Sequence, residues 1–257
     1  MEFNLKNILN IKDDYVFNLL GIENFNNPHT RLRFWFKHLM ENHERIEGDI
    51  FEFGVYQGHS LISMALLLKK IRSKKKIFGF DSFSGFPSYH EKDDLSMFEK
   101  YEGEIFETEL VEKHRLLMKI KALKGSKNVT PRNISDSSDF SDNSLKGLQN
   151  KIDILALDNI ELIEGAFDKT LPSFSKNFLG SIFSANIDCD LYEGYKAVLP
   201  FVYNSLEPKG YVHLDEYYSL KFPGARIACK EFFDLHNIHP LKHPREEHEF
   251  ERWYFTK

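Results

Sequence analysis

From residue 48 onward, short apolar runs alternate with amphipathic stretches. "GDIFEFGV" reads as a strand, "SLISMALLLKKIRSKKK" as a helix from about Ser60, and "KIFGFDSF" as a second strand. Strand, glycine turn, helix and strand make a βαβ unit, which implies a parallel sheet with a right-handed crossover. Strand signals return later in "NIELIEGAF", which ends at Gly165, in "GSIFSANIDCD" and in "YVHLDEY". The last two end in acids. "VLPFVYNSLEPKG" reads as a helix and turn, "GARIACKEFFDLHN" as a helix and "ERWYFTK" as a terminal strand. The pattern predicts a doubly wound, mostly parallel α/β sheet of about seven strands with helices on both faces.

Two stretches depart from this alternation. Residues 1–47 read as helical, and "HTRLRFWFKHLMENHERI" offers Thr30 as a helix start after Pro28. Its apolar residues Leu32, Trp35, Phe36 and Leu39 recur at helical spacing, as for a helix packed on the core or at a dimer contact. Residues 88–150 are polar and charged, with helical pieces and a Ser/Asp/Asn-rich loop. That is long for a loop in a compact domain, and it reads as an insertion or lid, or as a surface elaboration. No repeat or second domain stands out, so 1–257 is expected to be one domain.

Composition refines the picture. Hydrophobic residues make up 42% of the chain, and Phe alone contributes 24, so the core should be aromatic. A net charge of −5 argues against a nucleic-acid partner. Two cysteines, Cys189 and Cys229, form neither a disulfide framework nor a zinc pattern and suit a reducing compartment. There is no secretory pattern at the start and no apolar run of about 18 residues, so a cytoplasmic protein without a membrane span is expected.

The first candidate site is "FEFGVYQGHS". A strand feeding a tight turn and then a helix directs backbone N–H groups at a ligand, with Gly54 relieving the turn and Gly58 allowing close approach. Asp81, at the end of the next strand, stands where a carboxylate accepts the hydroxyls of a ribose. Tyr56 replaces the middle glycine that a pyrophosphate needs. That lowers NAD and leaves S-adenosylmethionine, which has a ribose and an amino-acid end but no pyrophosphate. Glu52 supports the turn or the methionine ammonium. Ser60, Ser82, Phe83, Gly165 and Phe167 complete the expected cofactor contacts. His59, beside the turn, faces either the cofactor or solvent.

The second candidate site is the pair of acidic strand ends, "NIDCDLYEGY" and "HLDEYY". Carboxyl ends of parallel strands line the ligand crevice, so Asp188, Asp215 and Glu216 should converge there. Three carboxylates repel one another unless a cation neutralises them, and an all-oxygen set selects a hard divalent ion, Mg²⁺ or Ca²⁺. Asp190 is expected to cap the helix that starts near Glu193. Cys189 reads as a packed residue and His213 as a core histidine.

"GDIFEFGVYQGHSL", "GFDSFSGFP", "LIEGAFDKTLP", "IDCDLYEGY" and "GYVHLDEYY", in this order, resemble the macrocin O-methyltransferase family from about Gly48 to Asp234, outside 88–150. The resemblance implies a Rossmann-like, S-adenosylmethionine-dependent enzyme that methylates a sugar hydroxyl, and a metal, Mg²⁺ first, on Asp188, Asp215 and Glu216. Glu216 stands where the family commonly has Asp, and "EPKG" stands for the usual "PGG". Leu191 occupies the position of the catalytic Lys in catechol O-methyltransferases, which disfavours a catechol. Asp188 is the first candidate for the base, since it should lie nearest the reacting hydroxyl. The expected partner is a small sugar, free, nucleotide-linked or attached to a product, with a homo-oligomer, simplest as a dimer. An NAD-dependent sugar enzyme and a non-catalytic binding module are the rival classes.

Overall fold

The computed structural model describes residues 13–126 and 128–257. The first twelve positions of the stretch expected to be helical lie outside them. Seven strands form one sheet: β1 Asp49–Phe53, β2 Ile77–Asp81, β3 Ile160–Glu164, β4 Ile182–Ile187, β5 Leu206–Leu214, β6 Leu241–Lys242 and β7 Trp253–Thr256. Their spatial order is β3-β2-β1-β4-β5-β7-β6. β1 to β5 pair in parallel, and β7 runs antiparallel to both β5 and β6. The terminal strand was legible in the sequence; its direction and the two-residue β6 were not.

The helices are α1 Asp14–Leu20, α2 Arg33–Asn42, α3 His59–Lys70, α4 Met97–Lys100, α5 Thr108–Leu123, α6 Leu145–Ile154, α7 Phe167–Asn177, α8 Tyr192–Ser205 and α9 Pro223–His236. β2 and β4 are buried along their whole length, as expected of strands covered on both faces. Side chains alternate across the sheet. Phe51, Phe53, Phe78 and Phe80 face the side carrying α7 and α8, where Phe174, Phe178 and Phe201 complete an aromatic cluster. Phe51 and Phe78 stack at 4.9 Å, and Phe174 meets Phe80 edge-on at 5.0 Å. Such pairs add about 0.5–1.5 kcal/mol each beyond area burial, which is where the richness in Phe is used. The other face is polar at its centre, with Glu52, Ser184, Asn186 and His213 all buried.

α2 packs on that polar face. Leu32, Trp35, Phe36 and Leu39 are buried, and Trp35 Nε1 donates to Ser184 Oγ at 3.0 Å. Its apolar face therefore covers the sheet. Thr30 does not start this helix: Leu32 holds the N-cap position, and the Thr30 hydroxyl donates to Glu23 at 2.8 Å. β5 begins at Leu206 and takes in "LEPKG", expected as a turn. A register shift opposite Ile182 and the left-handed Lys209, φ +66°, keep a kink inside that strand.

Residues 88–144 fold against the main body. Leu95, Phe98, Phe106, Leu110, Val111 and Ile134 join the same core as the sheet phenylalanines. Asp190 does not cap α8, whose N-cap position is Leu191 without a side-chain bond. Asp93 does that work from a distance: its Oδ1 accepts from Tyr192 N at 2.8 Å and its Oδ2 from His90 N at 2.9 Å. A Cβ on Gly224 would lie 2.0 Å from Asp93 Oδ1, so the glycine makes room for this link. Asp93→Ala is expected to cost about 0.5–2 kcal/mol, the usual range for a lost cap. Thermal unfolding should show a midpoint lower by several degrees, at roughly 2–4 °C per kcal/mol for a chain of this size.

Candidate active site

The turn after β1 is built on Asp81 rather than on glycine alone. Asp81 Oδ2 accepts from Val55 N and Tyr56 N, both at 2.8 Å, and Oδ1 accepts from Phe83 N at 2.7 Å and Asn143 Nδ2 at 3.4 Å. The carboxylate thus ties the β1 turn to the β2 turn at the cleft floor, where a ribose is expected. Gly54 has φ +90°, and a Cβ there would lie 1.8 Å from the carbonyl oxygen of Asp188. It lets β1 and β4 close up, setting the distance between the turn and the acid that follows β4. Gly58, φ +81°, makes room for Leu148 of α6. Tyr56 leans away along the rim: its ring meets Phe140 edge-on at 5.2 Å, and its hydroxyl donates to Asp142 at 2.7 Å.

Glu52 lies beneath this turn and is fully buried. It accepts from the Ser60 hydroxyl and from Asn186 Nδ2 at 2.9 Å. Burial outweighs both bonds and pushes its carboxyl up to about 7. The folded state therefore holds this proton more tightly than the unfolded chain, whose ordinary value is 4.5. The stabilisation is complete below that value and is lost as pH rises to about 7. The loss is at most about 3 kcal/mol. Glu52→Gln is expected to shrink the drop in unfolding temperature between pH 5 and pH 8 relative to wild type; an unchanged drop would rule this origin out.

At the other wall, Asp188 follows β4, and Asp215 and Glu216 open the short helical turn Asp215–Tyr217 after β5. One oxygen from each lies within 4.8 Å of the others. Three acids that close, each able to give an oxygen, fit a hard divalent cation. A guanidinium already bridges two of them. Arg31 Nη1 lies 3.0 Å from Asp215 Oδ1 and 3.4 Å from Asp188 Oδ2, while its Nε donates to Glu23 at 2.8 Å. Burial alone would raise the Asp215 carboxyl, but Arg31 and then His213 hold it well below the usual range. His213 is a buried histidine, and its Nε2 lies 3.5 Å from Asp215 Oδ1. Burial and the Asp215 charge push Glu216 up to about 7, and the same two causes hold Asp188 well above the carboxylate range against the pull of Arg31.

Turn and acids share one cavity of about 790 Å³. Of the expected cofactor residues, Gly54, Tyr56, Ser60, Asp81, Ser82, Gly165 and Phe167 line it, with Asp188, Asp215, Glu216 and His59. Glu52, Gly58 and Phe83 do not: Glu52 sits beneath the floor, Gly58 faces Leu148, and Phe83 is buried in the core on the α3 side. Ser88, Tyr89, His90, Phe140 and Asn143 supply a wall from the 88–150 stretch. Asp190 also lines the cavity, with its backbone in the left-handed region at φ +56°. Among the described residues no hydrogen bond or ion pair holds its side chain. Burial, then Glu216 and Asp188, keep its carboxyl well above the usual range. Cys189 and Cys229 are free, buried thiols pushed up by burial.

The strand order, the glycine turn and the acid-lined cleft define a Rossmann-like fold whose main cavity lies across the ends of β1, β2 and β4. The macrocin-O-methyltransferase (TylF) family matches residues 31–114 and 131–246, and the chain belongs to it. It is an S-adenosylmethionine-dependent O-methyltransferase. The O-methyltransferase NovP is similar over 99% of both chains, at 17% identity and TM-score 0.63. The calicheamicin methyltransferase CalS11 covers 98% of this chain and 82% of its own, at 19% identity and TM-score 0.60. An apo structure of CalS11, described as a TDP-rhamnose 3'-O-methyltransferase, covers 98% and 83%, at 20% identity and TM-score 0.53. At these identities the likeness concerns the fold. No curated protein matches the sequence. Among the described residues, no helix is long and apolar enough to cross a membrane.

Proposed function

We propose that this enzyme methylates a hydroxyl of a free or nucleotide-linked sugar, with a divalent cation, Mg²⁺ first, on Asp188, Asp215 and Glu216 and with Asp190 taking the proton. The observation that carries the reading is the three-carboxylate cluster facing the Gly54–Asp81 floor inside one cavity. S-adenosylmethionine would supply the methyl group and the carbon–sulfur bond that breaks, and the cation would supply positive charge that makes a neighbouring hydroxyl a stronger acid.

The protein's own work is placement and proton transfer. The β1 turn and Asp81 orient the cofactor end of the cleft. Phe140, Asn143 and Tyr89 wall the cleft against water, and holding reactants in attack geometry contributes roughly 7–11 kcal/mol. The proton-accepting role falls to Asp190 rather than Asp188. Asp188 would give its oxygens to the cation, and a carboxylate so committed would be a weak base. Asp190 lines the same cavity with no hydrogen bond on its carboxyl among the described residues, and Lys221, in the same lining, favours its charged form. A sugar destined for a surface polysaccharide or a natural product suits this cleft, in a cytoplasmic enzyme. A homo-oligomer, simplest as a dimer, belongs to the same reading.

The reading is tested by a methyl-transfer screen over free sugars, nucleotide-linked sugars and catechols, with and without chelator. Sugar methylation that stops with chelator and returns with Mg²⁺ is the expected result. Transfer to catechols alone would remove the sugar assignment, and chelator-resistant transfer to sugars would remove the cation.

A further inference from the structure

We propose that Arg31 is the resident counter-cation of the carboxylate triad, and that its guanidinium turns into a neighbouring polar cavity when a divalent cation takes its place. The inference rests on the proposed cation site and adds a residue that sets its affinity. Arg31 Nη1 sits against oxygens of both Asp188 and Asp215, where a divalent cation would have to bind. Two cations cannot share these oxygens without strong repulsion, so the guanidinium must yield or the ion must stay out.

The surroundings provide for the first outcome. The Arg31 backbone is fixed, since its carbonyl accepts from Arg252 Nε at 3.0 Å. Its Nε is held by Glu23 at 2.8 Å, and Glu23 is braced in turn by the Thr30 hydroxyl and by Ser63, which donates to the Glu23 carbonyl at 2.7 Å. Only the end of the side chain needs to move. Beside it lies a second cavity of about 430 Å³, whose lining includes Asp14, Glu23, Asn27, Thr30 and His59. Arg31 lines both cavities, and the second carries two carboxylates, Asp14 and Glu23. A guanidinium pivoting about Glu23 leaves one acidic setting for another and stays paired throughout. The exchange keeps the triad from standing bare when no metal is present, and it links cation uptake to the segment that carries Glu23 and Thr30.

Mn²⁺ binding, followed by calorimetry and by the paramagnetic signal of the free ion without cofactor or acceptor, tests this directly. Arg31→Gln is expected to tighten Mn²⁺ binding by about tenfold, within the usual range of coupling between two sites. Asp14→Asn should act in the opposite direction, because the displaced guanidinium loses the carboxylate of the second cavity that it does not touch while it sits on the triad; a purely structural role gives no such opposition. Arg31→Lys keeps the charge without the fork and should tighten binding less than Gln; it also serves if the Gln variant does not fold. Wild type that binds Mn²⁺ while Arg31→Gln binds equally or more weakly overturns the inference and leaves the cation site standing. Loss of Mn²⁺ binding in Asp188→Asn locates the ion. Failure of both wild type and Arg31→Gln to bind Mn²⁺ overturns the cation site and the inference together.

Discussion

Asp190→Asn is expected to lower kcat by roughly 10²–10⁴-fold, the usual contribution of a positioned base. The substitution keeps size and shape. Asn also tolerates the left-handed backbone that Asp190 adopts at φ +56°. The change therefore removes the proton acceptor and little else, and binding of S-adenosylhomocysteine, read by thermal shift, should stay near wild type. An interaction made only in the transition state is lost from kcat and kcat/KM alike, while KM holds. The pH profile gives an independent reading. A base works only when deprotonated, so wild-type kcat/KM should fall as pH drops through the apparent value of the acid cluster, which belongs to the coupled group rather than to one residue. Asp190→Asn should flatten that acidic limb. A variant within threefold of wild type, with the limb intact, would return the base to another carboxylate.

The Gly54–Asp81 half of this cavity was legible because it is local. β1, the glycine turn and α3 are consecutive in sequence, and Asp81 follows the next strand, so apolar pattern and strand ends placed them together. The acidic half was legible by topology: residues after parallel strands meet at one sheet edge, and Asp188 and Asp215 do. What the sequence hid is held by distant partners. Arg31 comes from a polar stretch with no motif and reaches acids far along the chain. Asp93 caps α8 across the fold, so the nearby Asp190 could be misread as the cap and was thereby missed as a cleft residue. Glu52 read as supporting either the turn or a ligand; the alternation of β1 turns it into the polar centre of the sheet beneath, where it accepts from Ser60 after the turn. The 88–150 stretch read as an insertion or lid, or as a surface elaboration, and some of its residues do wall the cavity; that several of its apolar residues enter the main core was not legible, because they are sparse and split among short helices.

Chelation is expected to abolish turnover, and Mg²⁺ to restore it, with the triad variants showing why. Asp215→Asn removes one charge and one ligand and should weaken cation affinity by on the order of 100-fold or more, since even outer partners of metal ligands cost 10–100-fold. Glu216→Asp, which puts in place the residue common in the family, should stay within about tenfold of wild type, whereas Glu216→Gln should lose affinity like Asp215→Asn. The effect has a readout independent of turnover: an ion at about 100 times its Kd stabilises the folded state by about 2.7 kcal/mol. Its pH dependence follows from the same acids. Glu216 is pushed up to about 7 by burial and Asp215, so in the metal-free protein it binds a proton that a cation must displace. Mg²⁺-induced stabilisation should therefore grow as pH rises through about 7 and shrink as pH falls toward 5. In Glu216→Gln that slope should flatten along with the loss of affinity. Stabilisation that is equal at pH 5 and pH 8 would place the ion away from these carboxylates.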